Sequence, residues 1–216
     1  MGTGKRIDWS LYVVTDRAVA DGRRLDEVVR TAIAGGATVI QLREKEAPAG
    51  EVFRLGLALR AITRNAGVPF IVNDRLDLAL ALEADGAHVG QEDLPAREAR
   101  RLLGPGRILG VSVETVEQAV RAVEEGADYL GAGSVFSTTT KPDAGDPIGL
   151  EGLARICRAV RVPVVAIGGI NPGNAGEVIA SGAAGVAVVS AVMAAPDVEA
   201  AARALRRAID EGRLIS

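Results

Sequence analysis

Eight short β-branched runs, each followed by a helical pattern, predict an α/β fold closed into a single (β/α)8, or TIM, barrel. The chain has 216 residues, about 27 per strand–helix unit, and such a barrel needs roughly 200. No GxGxxG follows the first run; Asp16 and Arg17 stand where a doubly wound dinucleotide fold would carry its glycines. Alternation of strand and helix also demands parallel strands, since each crossover needs a helix. No linker, low-complexity tract or charge block divides the chain, so residues 1–216 are expected to form one domain with a core of about 11–210.

The first four strands are read as LYVVTD (11–16), TVIQLRE (38–44), PFIVND (69–74) and GAHVGQ (86–91). The second four are ILGVSV (108–113), YLGAGSV (129–135), VPVVAIGG (162–169) and GVAVVS (185–190). Amphipathic stretches such as LDEVVRTAIAGG and VETVEQAVRAVEEGA lie between them. In the second, Val116, Ala119, Val120 and Val123 recur at helical spacing, while Glu117, Gln118, Arg121 and Glu124 face away. Gly36, Gly126 and Gly182 are placed to close helices in the left-handed conformation.

Hydrophobic residues make up 48% and charged residues 25%, which excludes a disordered chain. Lys and Arg number 25 against 28 Asp and Glu, a formal charge of −3. That balance argues against a nucleic-acid binder, which should carry a basic face. An anionic ligand would need locally placed cations, backbone N–H groups or a metal. Cys157 is the only cysteine, so no internal disulfide forms; with no signal-like start, the cytoplasm is the expected compartment. The apolar runs are strand-sized and no membrane partner is expected. The MGTGKR start lacks the Ser or Thr at position six of a myristoylation signal. Nor does a strand precede it, as a phosphate loop requires.

In a barrel of this kind the active site lies at the C-terminal ends of the strands. Strand alternation puts Gln41, Arg43 and Lys45 on one side, with Ile40, Leu42 and Glu44 on the other. Two cations at a barrel mouth cost desolvation unless an anion meets them. The plainer alternative is neutralisation by Glu44, Glu46 or Asp74. Asp74 and Asp93 end or follow adjacent strands, and two hard oxygen ligands with open positions suit Mg²⁺ bridging to a diphosphate. Asp93, in QEDLPA, also stands where a helix N-cap would, and spacing does not separate the two roles.

The segment FSTTTKPDAGDP (136–147) carries three threonines and Lys141, suited either to wrapping phosphate oxygens or to a solvated, lid-like loop. IGGINPGNAGEV and VVSAVM follow strands seven and eight, the recurring phosphate site of such barrels. His88, mid-strand, is expected to be a hydrogen-bonded core residue. Cys157, on a stripe with Leu153 and Ile156, is expected to be inert packing.

Taken together, LYVVTD, QLREK, VNDR, GAHVGQEDL, GVSVET, DYLGAGSVFSTTTK, VAIGGI and GVAVVSA resemble the thiamine phosphate synthase family, in order and over residues 11–191. The resemblance implies an enzyme, a transferase joining 4-amino-5-hydroxymethyl-2-methylpyrimidine diphosphate to a thiazole phosphate, with Mg²⁺ as cofactor. It implies that Gln41, Leu42, Arg43, Glu44, Lys45, Asn73, Ser112 and Lys141 hold the pyrimidine diphosphate. Of these, Arg43, Lys45, Ser112 and Lys141 are the expected catalytic residues. Thr138, Thr139, Thr140, Gly169, Val189 and Ser190 would hold the thiazole phosphate, and Asp74 and Asp93 the metal. Partners would be these small molecules alone; homo-oligomerisation stays open. Two positions depart from the family pattern: Ser134 in GSVF, where proline is usual, and Val113, where histidine often follows the strand-five serine. The rivals are a thiazole tautomerase on the same barrel, which would need a positioned acid–base group, and a non-catalytic phosphate-binding barrel.

Overall fold

The computed structural model describes residues 7–138 and 145–215, so MGTGKR and Thr139, Thr140 and Lys141 lie outside the described residues. Its strands are β1 (Leu11–Val14), β2 (Val39–Leu42), β3 (Phe70–Asn73), β4 (Gly86–Val89), β5 (Ile108–Val113), β6 (Tyr129–Ala132), β7 (Val164–Ile167) and β8 (Gly185–Val188). Its helices begin with α1 (Leu25–Ala34), α2 (Ala49–Ala66), α3 (Leu76–Ala81), α4 (Ala96–Leu103) and α5 (Val116–Glu124). They continue with α6 (Gly149–Ala159), α7 (Ala175–Ala180), α8 (Ser190–Met193) and α9 (Val198–Ile215). All strands are parallel and close in sequence order, with β8 pairing back onto β1. The barrel expected from alternation is present.

Each strand lies within its expected run, but all except β5 stop short at the C-terminal end. There the chain leaves the ladder to climb over the rim, and single bonds such as Thr15 N–H to the Gln41 carbonyl, 2.9 Å, carry the pairing one residue further. The truncated tails are the site-bearing loops.

Alternation divides the apolar residues between two cores. Outward-facing residues such as Leu11, Val13, Ile40, Leu42, Leu109 and Leu130 pack against the helices. Inward-facing Tyr12, Val39, Ile71, Tyr129 and Val165, with Trp9, fill the barrel. The Trp9 and Tyr129 rings stack at 4.4 Å between centroids. Space for the Tyr129 ring comes from Gly110, where an added Cβ would lie 2.2 Å from Tyr129 Cζ and 2.4 Å from His88 Nδ1.

Helix α5 starts with a capping box in which Thr115 accepts from the Gln118 N–H. Its buried line is Ala119 and Ala122, whereas Val120, expected on the inner face, is 38% exposed. Val116 and Val123 pack at the edges of that line, and Val120 lies beyond it. Gly36, Gly126 and Gly182 do take the left-handed conformation, each just beyond its helix, with φ of 107°, 99° and 100°. Cys157 packs against the outer core and burial pushes its thiol up to about 11, consistent with inert packing. Among the described residues, no helix is long and apolar enough to cross a membrane.

Candidate active site

A cavity of about 890 Å³ opens at the C-terminal ends of the strands. Gln41, Arg43 and Lys45 line it, as alternation requires. Leu42 and Glu44 do not: Leu42 is buried in the outer core, and Glu44 is turned to Arg17 at 2.8 Å. The family resemblance implies a role for the whole run, whereas alternation points only Gln41, Arg43 and Lys45 inward; the cavity lining follows alternation, because successive Cβ atoms point to opposite faces.

Both cations have carboxylate neighbours. Arg43 Nη1 meets Asp16 Oδ2 at 2.5 Å, and its backbone N–H donates to Thr15 Oγ1 at 3.1 Å. Lys45 Nζ lies 3.8 Å from Asp74 Oδ2. Neutralisation is therefore partial and comes from Asp16 and Asp74 rather than from Glu44 or Glu46. Among the described lining residues, Arg43 and Lys45 face four carboxylates, Asp74, Glu92, Asp93 and Glu114.

Asp74 follows β3 in the left-handed region, with φ of 60°, and its N–H donates to the His88 carbonyl at 2.8 Å. Aspartate tolerates that conformation better than most residues. The turn aims its carboxyl at Asp93, which follows β4. Burial, then the hydrogen bond and charge of Asp93, push the Asp74 carboxyl up to about 6, against the pull of Lys45 and Arg43. Asp93 Oδ2 accepts from the Gly90 N–H at 2.7 Å. It does not cap α4, whose N-cap position is Pro95. The aspartate therefore braces the loop it stands on and faces Asp74.

On the opposite side of the mouth, Gly168 and Gly169 take φ of 101° and 65°. A Cβ on Gly169 would lie 2.6 Å from the Ser137 carbonyl, so only glycine lets the loop after β6 pack there. Thr138, Gly169, Val189 and Ser190 line this part of the cavity. Asn174 Nδ2 donates to the Gly169 carbonyl at 3.0 Å and holds the turn.

Asn73 and Ser112 line the floor between these sides. Beneath them runs a buried polar line. Gln41 Nε2 meets Tyr12 Oη at 2.8 Å, Tyr12 Oη meets Tyr129 Oη at 2.7 Å, and Tyr129 Oη meets His88 Nδ1 at 2.9 Å. His88 Nε2 meets Ser112 Oγ at 2.9 Å. His88 is thus the hydrogen-bonded core residue expected of it, and burial pushes its pKa down to about 4. It also touches the cavity, as do Glu114 and Asn171, which residue types alone did not single out. Glu114 was within reach of the alternation rule, being two residues beyond Ser112. Of the two departures from the family pattern, Val113 faces the outer core and Ser134 lines the cavity.

Residues 11–192 match the family model described as thiamine monophosphate synthase. A thiamine-phosphate synthase of Moorella thermoacetica is 62% identical over 205 residues, spanning 95% of this chain and 98% of the relative. One from Chloroflexus aurantiacus is 58% identical, spanning 93% of this chain and 92% of the relative. The solved thiamine phosphate pyrophosphorylase from Pyrococcus furiosus superposes with a TM-score of 0.89 at 49% identity, over 96% of this chain and 98% of that one. With the barrel and its charged mouth in place, the matches along nearly the whole length settle the assignment: the chain belongs to the thiamine monophosphate synthase family and is a transferase that makes thiamine phosphate.

Proposed function

We propose that the chain joins 4-amino-5-hydroxymethyl-2-methylpyrimidine diphosphate to a thiazole phosphate, releasing diphosphate, and that Asp74 and Asp93 hold the Mg²⁺ this requires. The carrying observation is the mouth itself: two mutually hydrogen-bonded carboxylates, one pushed up to about 6, beside the cations of β2 and its loop. Carboxylates outnumber cations among the described lining residues, so a trianionic diphosphate would be repelled without added positive charge. Hard oxygen donors with open positions fit Mg²⁺. When bound, the ion would neutralise charge on the leaving diphosphate.

The chain's own residues divide the remaining work. Arg43 and Lys45, with Lys141 outside the described residues, stabilise charge growing on the diphosphate as the C–O bond breaks. The aminopyrimidine ring spreads the positive charge left on the methylene, and Gln41, Asn73 and Ser112 orient that ring. Gly169, Val189, Ser190 and the threonines hold the thiazole phosphate so that its ring nitrogen attacks the methylene. No step needs a proton carried by the protein.

A tautomerase would need such a carrier. His88, the only histidine, is neutral at pH 7 and occupied at both nitrogens, which disfavours that reading. The lone, half-buried Cys157 is compatible with a reducing cytoplasm, where we place the reaction. Incubation of the purified chain with both substrates and Mg²⁺ should yield thiamine phosphate. No product, with conversion of the thiazole carboxylate isomer instead, would replace this reading with the tautomerase.

A further inference from the structure

The buried line from Gln41 to Ser112 has a direction, and proton counting gives it. An amide nitrogen only donates, so Tyr12 Oη accepts from Gln41 Nε2. Tyr12 is 2% exposed and has one other side-chain partner among the described residues, Tyr129 Oη. A buried hydroxyl left without an acceptor forfeits the hydration it gave up on folding. Its proton therefore goes to Tyr129, and the Tyr129 proton goes to its remaining acceptor, His88 Nδ1. That nitrogen must be bare. Burial keeps the ring neutral at pH 7, which puts its proton on Nε2, donating to Ser112 Oγ. Ser112 then has its own proton to give to the cavity, and Gln41, with its nitrogen spent inward, has its carbonyl to offer there.

We infer that Tyr12, Tyr129 and His88 are positioning residues that fix the hydrogen-bond polarity of the pocket, an acceptor at Gln41 and a donor at Ser112. This pattern selects a ring with an amino group to give and a bare ring nitrogen to receive, and rejects the 4-oxo ring, which offers a carbonyl and a ring N–H. The inference rests on the pyrimidine diphosphate lying against Gln41 and Ser112. The orientation is set far from the substrate: the two phenols meet across the barrel from strands 117 residues apart, in room left by Gly110. Reversing any one bond would reverse them all.

The test uses the fact that the chain has a single histidine. In ¹⁵N-histidine-labelled, tag-free protein without ligand, the imidazole spectrum near pH 7.5 should show a proton on Nε2 and a bare Nδ1. A proton on Nδ1, or on both nitrogens, would overturn the inference. A second arm compares binding of the 4-amino and 4-oxo pyrimidine diphosphates. Wild-type protein should prefer the amino ring, and Tyr129→Phe should shrink that preference by about tenfold or more, because the site no longer holds a fixed donor and acceptor. The KM for thiazole phosphate should stay unchanged. An undiminished preference in Tyr129→Phe would also overturn it. Failure of the wild-type chain to form thiamine phosphate would strike the proposed reaction instead, leaving the tautomer measurement to stand alone.

Discussion

Asp74 and Asp93 share a hydrogen bond between carboxyl groups carried by neighbouring strand tops, close to Lys45. Two carboxylates this close repel unless a proton or a cation comes between them. Removing one charge should therefore cost metal affinity before anything else. Asp93→Asn is expected to raise the Mg²⁺ concentration for half-maximal rate by about tenfold or more, with the KM for thiazole phosphate within about twofold of wild type. Titration of activity with Mg²⁺ at saturating substrates checks this. The reverse pattern would leave Asp93 a bracing role alone, through the Gly90 N–H and Asp74.

Cations that hold the leaving group more tightly as charge develops on it should appear in kcat. Lys45→Ala and Lys141→Ala are each expected to lower kcat by about 10²–10³, the range for losing one donor to a developing oxyanion. Circular dichroism should be unchanged, since Lys45 is exposed and its partner Asp74 lies at 3.8 Å. Single-turnover release of diphosphate gives the rate directly, and unchanged turnover would remove the residue from the mechanism.

His88 sets a pH dependence of stability. Its pKa is near 6.5 in the unfolded chain and about 4 in the folded one, so the unfolded state binds the extra proton between those values. Its contribution is intact above pH 6.5 and is lost as pH falls toward 4, amounting to about 2 kcal/mol by pH 5. His88→Gln, which cannot take up that proton, should lose less stability between pH 7 and 5 than wild type. Urea denaturation at several pH values compares the slopes; parallel slopes would contradict the assignment.

Gly110 should tolerate no side chain. A Cβ there would fall within 2.4 Å of both the Tyr129 ring and His88 Nδ1, on rigid groups in the middle of the barrel. Gly110→Ala is expected to cost about 3 kcal/mol or more, a fall in Tm of roughly 6–12 °C. Thermal unfolding measures it, and a shift under about 2 °C would show that the interior can repack.

The barrel was legible in the sequence because parallel strands need β-branched runs and helical crossovers at short spacing, and both are present throughout. Alternation over 41–45 correctly separated Gln41, Arg43 and Lys45 from Leu42 and Glu44. What spacing did not reveal is three-dimensional. Pro95 takes the N-cap position that Asp93 was free to fill, and only the fold turns Asp93 toward Asp74. Val120 faces outward while Ala119 and Ala122 take the buried line of α5, a choice among apolar residues that helical spacing leaves open. The Tyr12–Tyr129 contact joins residues far apart in the chain, and no local pattern encodes it.

Crystals grown with Mn²⁺ in place of Mg²⁺ and with the two reaction products test most directly whether one end of this barrel gathers charge to release diphosphate. The anomalous signal of the ion should lie between Asp74 and Asp93, with diphosphate beside it, in contact with Arg43 and Lys45. Diphosphate bound elsewhere, or no ion at the paired aspartates, would contradict it.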